Sequence, residues 1–143
     1  MRKNVTLVSL LGLLLLVLAA CGGGTTGAAA PEAPAVDLSA LPDSVDVATV
    51  AAIKDDPNVY VIDVREQWEY DEGHIPGITL LPMGEVAARL SEIPTDKEVI
   101  ITCRSGNRSG QVADFLRQQG FDNVHNMEGG ILAWEEAGLP VDQ

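Results

Sequence analysis

The sequence predicts an α/β domain with a central, mainly parallel β-sheet and helices on both faces. Two observations lead there. From Val45 onward, short β-branched runs alternate with stretches of helical periodicity. The runs are also apolar at consecutive positions, as strands covered on both faces are. In order, Val47, Val50 and Ala51 fall at helical spacing, and Lys54-Asp55-Asp56-Pro57 ends that segment. Val59-Tyr60-Val61-Ile62 reads as a buried strand, and Ile78 to Leu81 as another, bounded by Pro76-Gly77 and Pro82. Val86, Ala87 and Leu90 give one helical stripe, stopped by Pro94. Glu98 to Thr102 is the most continuous apolar run. Val112, Phe115 and Leu116 mark a helix that Gly120 should stop. Val124 to Met127 is a last strand, and Ile131 to Glu136 a last helix before Gly138 and Pro140.

Ahead of this domain lies a different kind of chain. Arg2 and Lys3 precede an apolar stretch, Val5 to Leu18, which is followed by Ala19-Ala20-Cys21. Charged, apolar and small segments in that order read as an export signal, with an apolar core too short to favour a membrane-spanning helix. Leu18-Ala19-Ala20-Cys21 resembles the lipobox of bacterial lipoproteins, which implies lipidation at Cys21 and an extracytoplasmic protein anchored to a bacterial cell membrane. Gly22-Gly23-Gly24-Thr25-Thr26-Gly27 and the Ala/Pro stretch beyond it cannot bury a core and read as a tether. The expected organisation is a signal peptide over 1–20, a lipidated cysteine and linker over 21–40, and one domain over 41–143. A domain of about 100 residues can hold a single core.

The chain carries 9 basic and 21 acidic residues, a net charge of −12, which becomes −14 without Arg2 and Lys3. Such a field repels phosphate backbones and excludes nucleic acid as a partner. Against it, Cys103 stands with an arginine directly after it and another five positions on, in Cys103-Arg104-Ser105-Gly106-Asn107-Arg108. This loop joins a strand to a helix at the carboxyl end of the sheet, where such architectures bind ligands. Ser105, Gly106 and Asn107 can turn sharply, and a loop curled at a helix N-terminus directs several N–H groups inward. A thiolate there is stabilised by amides, helix dipole and guanidinium groups together. Ser109 is placed to cap the helix through its hydroxyl.

These stretches resemble a single-domain rhodanese, a sulfurtransferase, from about Val45 to the C-terminus. The resemblance rests on Val61-Ile62-Asp63-Val64-Arg65-Glu66, Gly73-His74-Ile75-Pro76-Gly77, the loop Cys103 to Ser109, Gly120-Phe121, Asn126-Met127-Glu128-Gly129-Gly130 and Trp134. It implies a three-layer rhodanese-like fold. It also implies transfer of a sulfane sulfur from thiosulfate or a similar anionic donor, through a Cys103 persulfide, to cyanide or a thiol. Arg104, Ser105, Gly106, Asn107, Arg108 and Ser109 would bind the substrate, with no metal or organic cofactor. Asp63 and Arg65 would be a charge pair that fixes nearby loops. A protein acceptor of the sulfur is compatible with this reading. The sequence departs from the common pattern at Ile78 and Leu80, where many relatives carry a small residue and an asparagine.

Other polar residues read more plainly. His74, between Gly73 and Pro76, is expected to be a hydrogen-bonded structural histidine, and His125 to face solvent or a groove. Trp68, Trp134 and Tyr70 are expected to pack, and Glu66, Glu69, Asp71 and Glu72 to form a solvated face. Two other functions compete. Cysteine phosphatases place five residues between Cys and Arg, whereas here the four from Arg104 to Asn107 leave a narrower cradle. The other rival is a non-catalytic binding or redox-sensing module, in which Cys103 would be oxidised directly.

Overall fold

A computed structural model of the protein describes residues 35–143, so the expected signal peptide, Cys21 and most of the expected tether lie outside the described residues. Five strands form one sheet: β1 (Ser44–Val45), β2 (Val59–Asp63), β3 (Thr79–Leu80), β4 (Glu98–Thr102) and β5 (Val124–Met127). Their spatial order is β1-β5-β4-β2-β3, and every pair is parallel. The connections carry α1 (Val47–Ile53), α2 (Gln67–Glu72) and α3 (Asn107–Gln118), and α4 (Gly130–Glu136) follows β5. The α/β architecture with a parallel central sheet is the one expected.

Strand alternation sorts the core into two layers. Ile62, Val64, Val99 and Ile101 pack with Val112, Ala113 and Leu116 of α3 on one face. Val59, Val61 and Ile100 pack with Val50 and Ile53 of α1 and Ile131 and Trp134 of α4 on the other. Helices thus cover both faces, and the consecutive apolar residues of β4 are all buried. The helix of Val112 stops where expected: the Gly120 N–H donates to Arg117 O at 3.0 Å and the Phe121 N–H to Leu116 O at 3.1 Å, satisfying the last carbonyls.

Three expectations about the fold need correction. The stripe of Val86, Ala87 and Leu90 forms two short 3-10 turns, Met83–Ala88 and Leu90–Glu92. Pro82 and Pro94 bracket this segment, Gly84 weakens it, and Val86 is the one fully buried side chain in either turn. The linker does not run to residue 40, because Val36 and Leu38 already pack against the α1/α4 layer. Beyond them β1 adds an edge strand, too short to announce itself in the sequence.

His125, expected near solvent, is 6% exposed. Its Nδ1 lies 2.6 Å from Pro42 O and its Nε2 2.9 Å from Glu98 Oε2, so the ring ties the N-terminal segment to the sheet. Replacing His125 by alanine removes both hydrogen bonds and the buried ring that makes them. The expected loss is about 1–3 kcal/mol in urea unfolding, with faster amide exchange at Ser44 and Val45.

Candidate functional site

β4 and β2 run in register at their carboxyl ends, with Thr102 beside Asp63, and the Val64 N–H donates to Thr102 O at 2.9 Å. One residue further, Cys103 continues the alternation of Val99 and Ile101 and joins their layer, 1% exposed. The chain then turns sharply into α3. Gly106 sits at the turn with φ +89°, and a Cβ there would come within 3.0 Å of Gly129 N. Only glycine meets both demands.

The loop is wrapped around the sulfur. The Gly106 N–H donates to Cys103 Sγ at 3.2 Å, and the Ser109 hydroxyl donates to it at 3.3 Å. Ser109 is therefore not the helix cap expected from the sequence: it stands in the first turn of α3, fully buried, with its hydroxyl on the thiol. Burial pushes the Cys103 pKa up. The Ser109 hydroxyl and the Ser109, Ser105 and Gly106 amides outweigh it and bring the thiol below its ordinary value.

The carbonyls of the same loop are held elsewhere. The Ile131 N–H donates to Cys103 O at 2.8 Å and the Leu132 N–H to Arg104 O at 3.1 Å, so the first turn of α4 captures them. This requires a very close approach at Gly130, whose φ is +57° and where any Cβ would overlap Cys103 O. With its carbonyls tied to α4, the loop offers its amides to the sulfur.

A second support reaches the loop from β2. Asp63 and Arg65 point the same way and pair, Arg65 Nε donating to Asp63 Oδ2 at 2.8 Å. Arg65 also donates to Glu69 O at 3.1 Å and Gly73 O at 2.8 Å, which fixes both ends of α2. From that helix Glu69 takes two 2.7 Å hydrogen bonds from Arg108 and one of 3.1 Å from the Glu66 N–H. Glu69, expected on a solvated face, is thus buried and is the carboxylate that pins the end of the loop. Sequence spacing gives no hint of a pairing across 39 residues. Its one signal is a capping acid three places after Glu66.

Ser105 and Asn107 are exposed, as is Arg104. Among the described residues, Arg104 and Lys97 are the cations that form no ion pair. His74 is held as a structural residue, its Nδ1 3.0 Å from Tyr70 O and its ring stacked on Tyr70 at 3.8 Å. Trp134 is buried with its Nε1 donating to Pro140 O at 2.8 Å, whereas Trp68, expected to pack, is 62% exposed. No cluster of three or more metal-binding side chains occurs among the described residues.

The Arg108 hydrogen bonds hold the Glu69 pKa at about 2, against an ordinary 4.5. A depressed carboxylate stabilises the fold above its unfolded pKa, and that contribution is lost as pH falls through the folded value. Unfolding free energy of the wild type should therefore drop by roughly 3 kcal/mol between pH 4.5 and 2 from this group alone. Glu69→Gln should be less stable at neutral pH and show a flatter acid limb. Parallel limbs in urea titrations would refute the assignment.

Comparison with known proteins agrees with this geometry. Residues 46–137 match the rhodanese-like domain. A sulfurtransferase of Allochromatium vinosum is 45% identical over 89 residues, which span 62% of this chain and 83% of that protein. A thiosulfate sulfurtransferase of Pseudoalteromonas translucida is 36% identical over 93 residues, 65% of this chain and 89% of its own. A rhodanese-related protein of Thermoplasma volcanium, solved by crystallography, shares the fold with a TM-score of 0.64 at 33% identity, over 71% of this chain and 98% of that one. On the span of the matched domain, these identities and the shared sheet, the chain belongs to the rhodanese-like domain family.

Proposed function

We propose that the protein is a sulfurtransferase that carries sulfur as a Cys103 persulfide, from thiosulfate or a similar donor to cyanide or a thiol. The observation that carries this reading is a buried thiol, the one cysteine among the described residues, receiving hydrogen bonds from the Gly106 amide and the Ser109 hydroxyl. That arrangement stabilises a sulfur anion, which is needed twice in the reaction.

In the first half, the Cys103 thiolate attacks the outer sulfur of thiosulfate. A sulfur–sulfur bond forms to Sγ, the donor's own sulfur–sulfur bond breaks, and sulfite leaves with the electron pair. In the second half, the acceptor attacks the outer sulfur of the persulfide and Cys103 departs as thiolate. The same donors steady the nucleophile before the first step and the leaving group in the second. Both nitrogens at the tip of Arg108 are engaged by Glu69, so this reading gives Arg108 the task of holding the loop and adding positive field. Orientation of the anionic donor then falls to Arg104, exposed beside the nucleophile. The fit to sulfur also follows from loop length, four residues between Cys103 and Arg108.

The same proposal places the domain outside the cytoplasm, lipidated at Cys21 and tethered to a membrane. This rests on the leader and the residues around Cys21.

Thiosulfate:cyanide turnover by the full chain, measured beside Cys103→Ser, tests the chemistry. Turnover is expected in the wild type and none in the variant, with a one-sulfur mass gain on Cys103 after thiosulfate alone. Alkylation of Cys103 should have its midpoint below the ~8.5 of a free thiol. Ser109→Ala should move it upward. A folded wild type with no turnover, oxidised at Cys103 by peroxide, would favour the sensing module instead. For the anchor, labelled palmitate should enter the wild type in a bacterial host and be absent from Cys21→Ser; equal labelling would remove the lipoprotein reading.

A further inference from the structure

α2 and α4 both touch the cysteine loop, and between them lies an open cleft of about 230 Å³. It is lined by Glu69 and Glu72 from one side, Leu132 and Glu135 from the other, and Arg104 between them. Arg104 is the residue after Cys103, so a molecule in the cleft sits at the edge of the site.

The domain exposes two large hydrophobic side chains, Trp68 at 62% and Leu132 at 43%. Leu132 lines the cleft. Trp68 lies four residues before Glu72 on α2, hence on the same helix face. The two exposed apolar residues therefore stand on the two helices that wall the cleft, Leu132 lining it and Trp68 on the α2 face that carries Glu72. Neither supports the core, and an exposed tryptophan on a helix that bounds the cleft has the chemistry of an interface anchor. The surrounding charge is acidic. Glu72 and Glu135 face the cleft, and Glu66 and Glu128 are exposed on the neighbouring turns; of the two lining cations Arg65 is paired with Asp63, which leaves Arg104.

We infer that this cleft is a docking surface for a protein acceptor that presents its thiol among basic side chains. Trp68 and Leu132 grip the apolar part of that segment, while Glu72 and Glu135 pair with its cations. This rests on the sulfurtransferase reading, and it deepens that reading by naming the acceptor's class. The docked thiolate attacks the outer sulfur of the Cys103 persulfide. A new sulfur–sulfur bond forms to the acceptor, the Cys103 bond breaks, and its electron pair returns to Sγ as thiolate. The acceptor leaves as a persulfide, and no oxidant or reductant is consumed. Arg104 stays available to the anionic donor, so donor and acceptor are selected by opposite charges at one mouth.

The test uses the full chain and two short peptides, one with cysteine between lysines and the other with cysteine between glutamates. A fluorescent version of the lysine peptide with serine in place of cysteine reports binding without transfer. Wild type should bind the serine peptide and transfer sulfur preferentially to the lysine–cysteine peptide. Trp68→Ser and Leu132→Ser should each weaken binding and raise that peptide's KM by about tenfold. Thiosulfate:cyanide turnover should stay at the wild-type value in both. Glu72→Gln with Glu135→Gln should abolish the preference for lysine over glutamate. Unchanged binding and KM in the Trp68 and Leu132 variants would overturn the docking surface, as would equal use of the two peptides by wild type. If wild type moves no sulfur to cyanide yet binds the serine peptide through Trp68 and Leu132, the surface stands and the sulfur chemistry falls.

Discussion

Arg65 is a buried cation whose side-chain hydrogen bonds reach two backbone carbonyls and one carboxylate, and the geometry around Cys103 depends on it. Its pairing with Asp63 is made at the very end of β2, so the guanidinium is anchored to the most regular part of the molecule. From there it holds Glu69 O and Gly73 O, which sets α2 against the sheet; α2 in turn presents Glu69 to Arg108. Taking the two charges of the Asp63–Arg65 pair out of water costs several kcal/mol each, and their attraction offsets this only with good geometry. The pair is therefore better understood as a fixture that specifies position than as a net source of stability. Removing one partner would leave the other charge buried and typically costs about 3–5 kcal/mol.

The sulfur itself is placed by a competition between two effects of opposite sign. Enclosure in an apolar layer raises the energy of a thiolate, and hydrogen bonds from the loop lower it. The second wins because the loop's polar groups are sorted by direction. Carbonyl oxygens of Cys103 and Arg104 go to α4, and N–H groups go to the sulfur. Sorting of that kind needs backbone paths that side chains would block, which is why glycine occupies Gly106 and Gly130. The long-range field works against anions, since the chain carries −12 overall, so the attraction of a donor has to be local.

How much of this is legible in the sequence follows from the range of each interaction. β4 and β5 are found with the bounds that their β-branched and apolar runs suggest, because burial on both faces writes itself into consecutive positions. The cysteine loop is legible as a turn between strand and helix, since Gly106 and Asn107 are local signals. Glu69 is not legible, because its partner Arg108 is distant in sequence and one acid in a cluster of four looks solvated. His125 is missed for the same reason: its partners, Pro42 O and Glu98, come from two separate segments. Ser109 reads in the sequence as a cap, but the helix begins earlier, at Asn107, and its hydroxyl donates to the thiol instead. Each miss is a polar contact made by tertiary structure, which periodicity does not encode.

The site divides into a frame and a rim that obey different constraints. Frame residues are buried and paired: Asp63 with Arg65, Glu69 with Arg108, Ser109 with Cys103, and Gly130 against the Cys103 carbonyl. A change in any of them shifts the sulfur or leaves a buried polar group without a partner, so the frame tolerates little substitution. Rim residues are exposed and unpaired: Arg104, Trp68 and Leu132 can be replaced without disturbing a core contact. Because the frame does not pass through the rim, selection of partner can vary while sulfur geometry stays fixed. The two meet at Cys103, which the frame encloses to 1% exposure while the next residue, Arg104, is exposed. Arg104 forms no ion pair among the described residues, so the rim cation beside the thiol can change position without cost to the charge pairs of the frame.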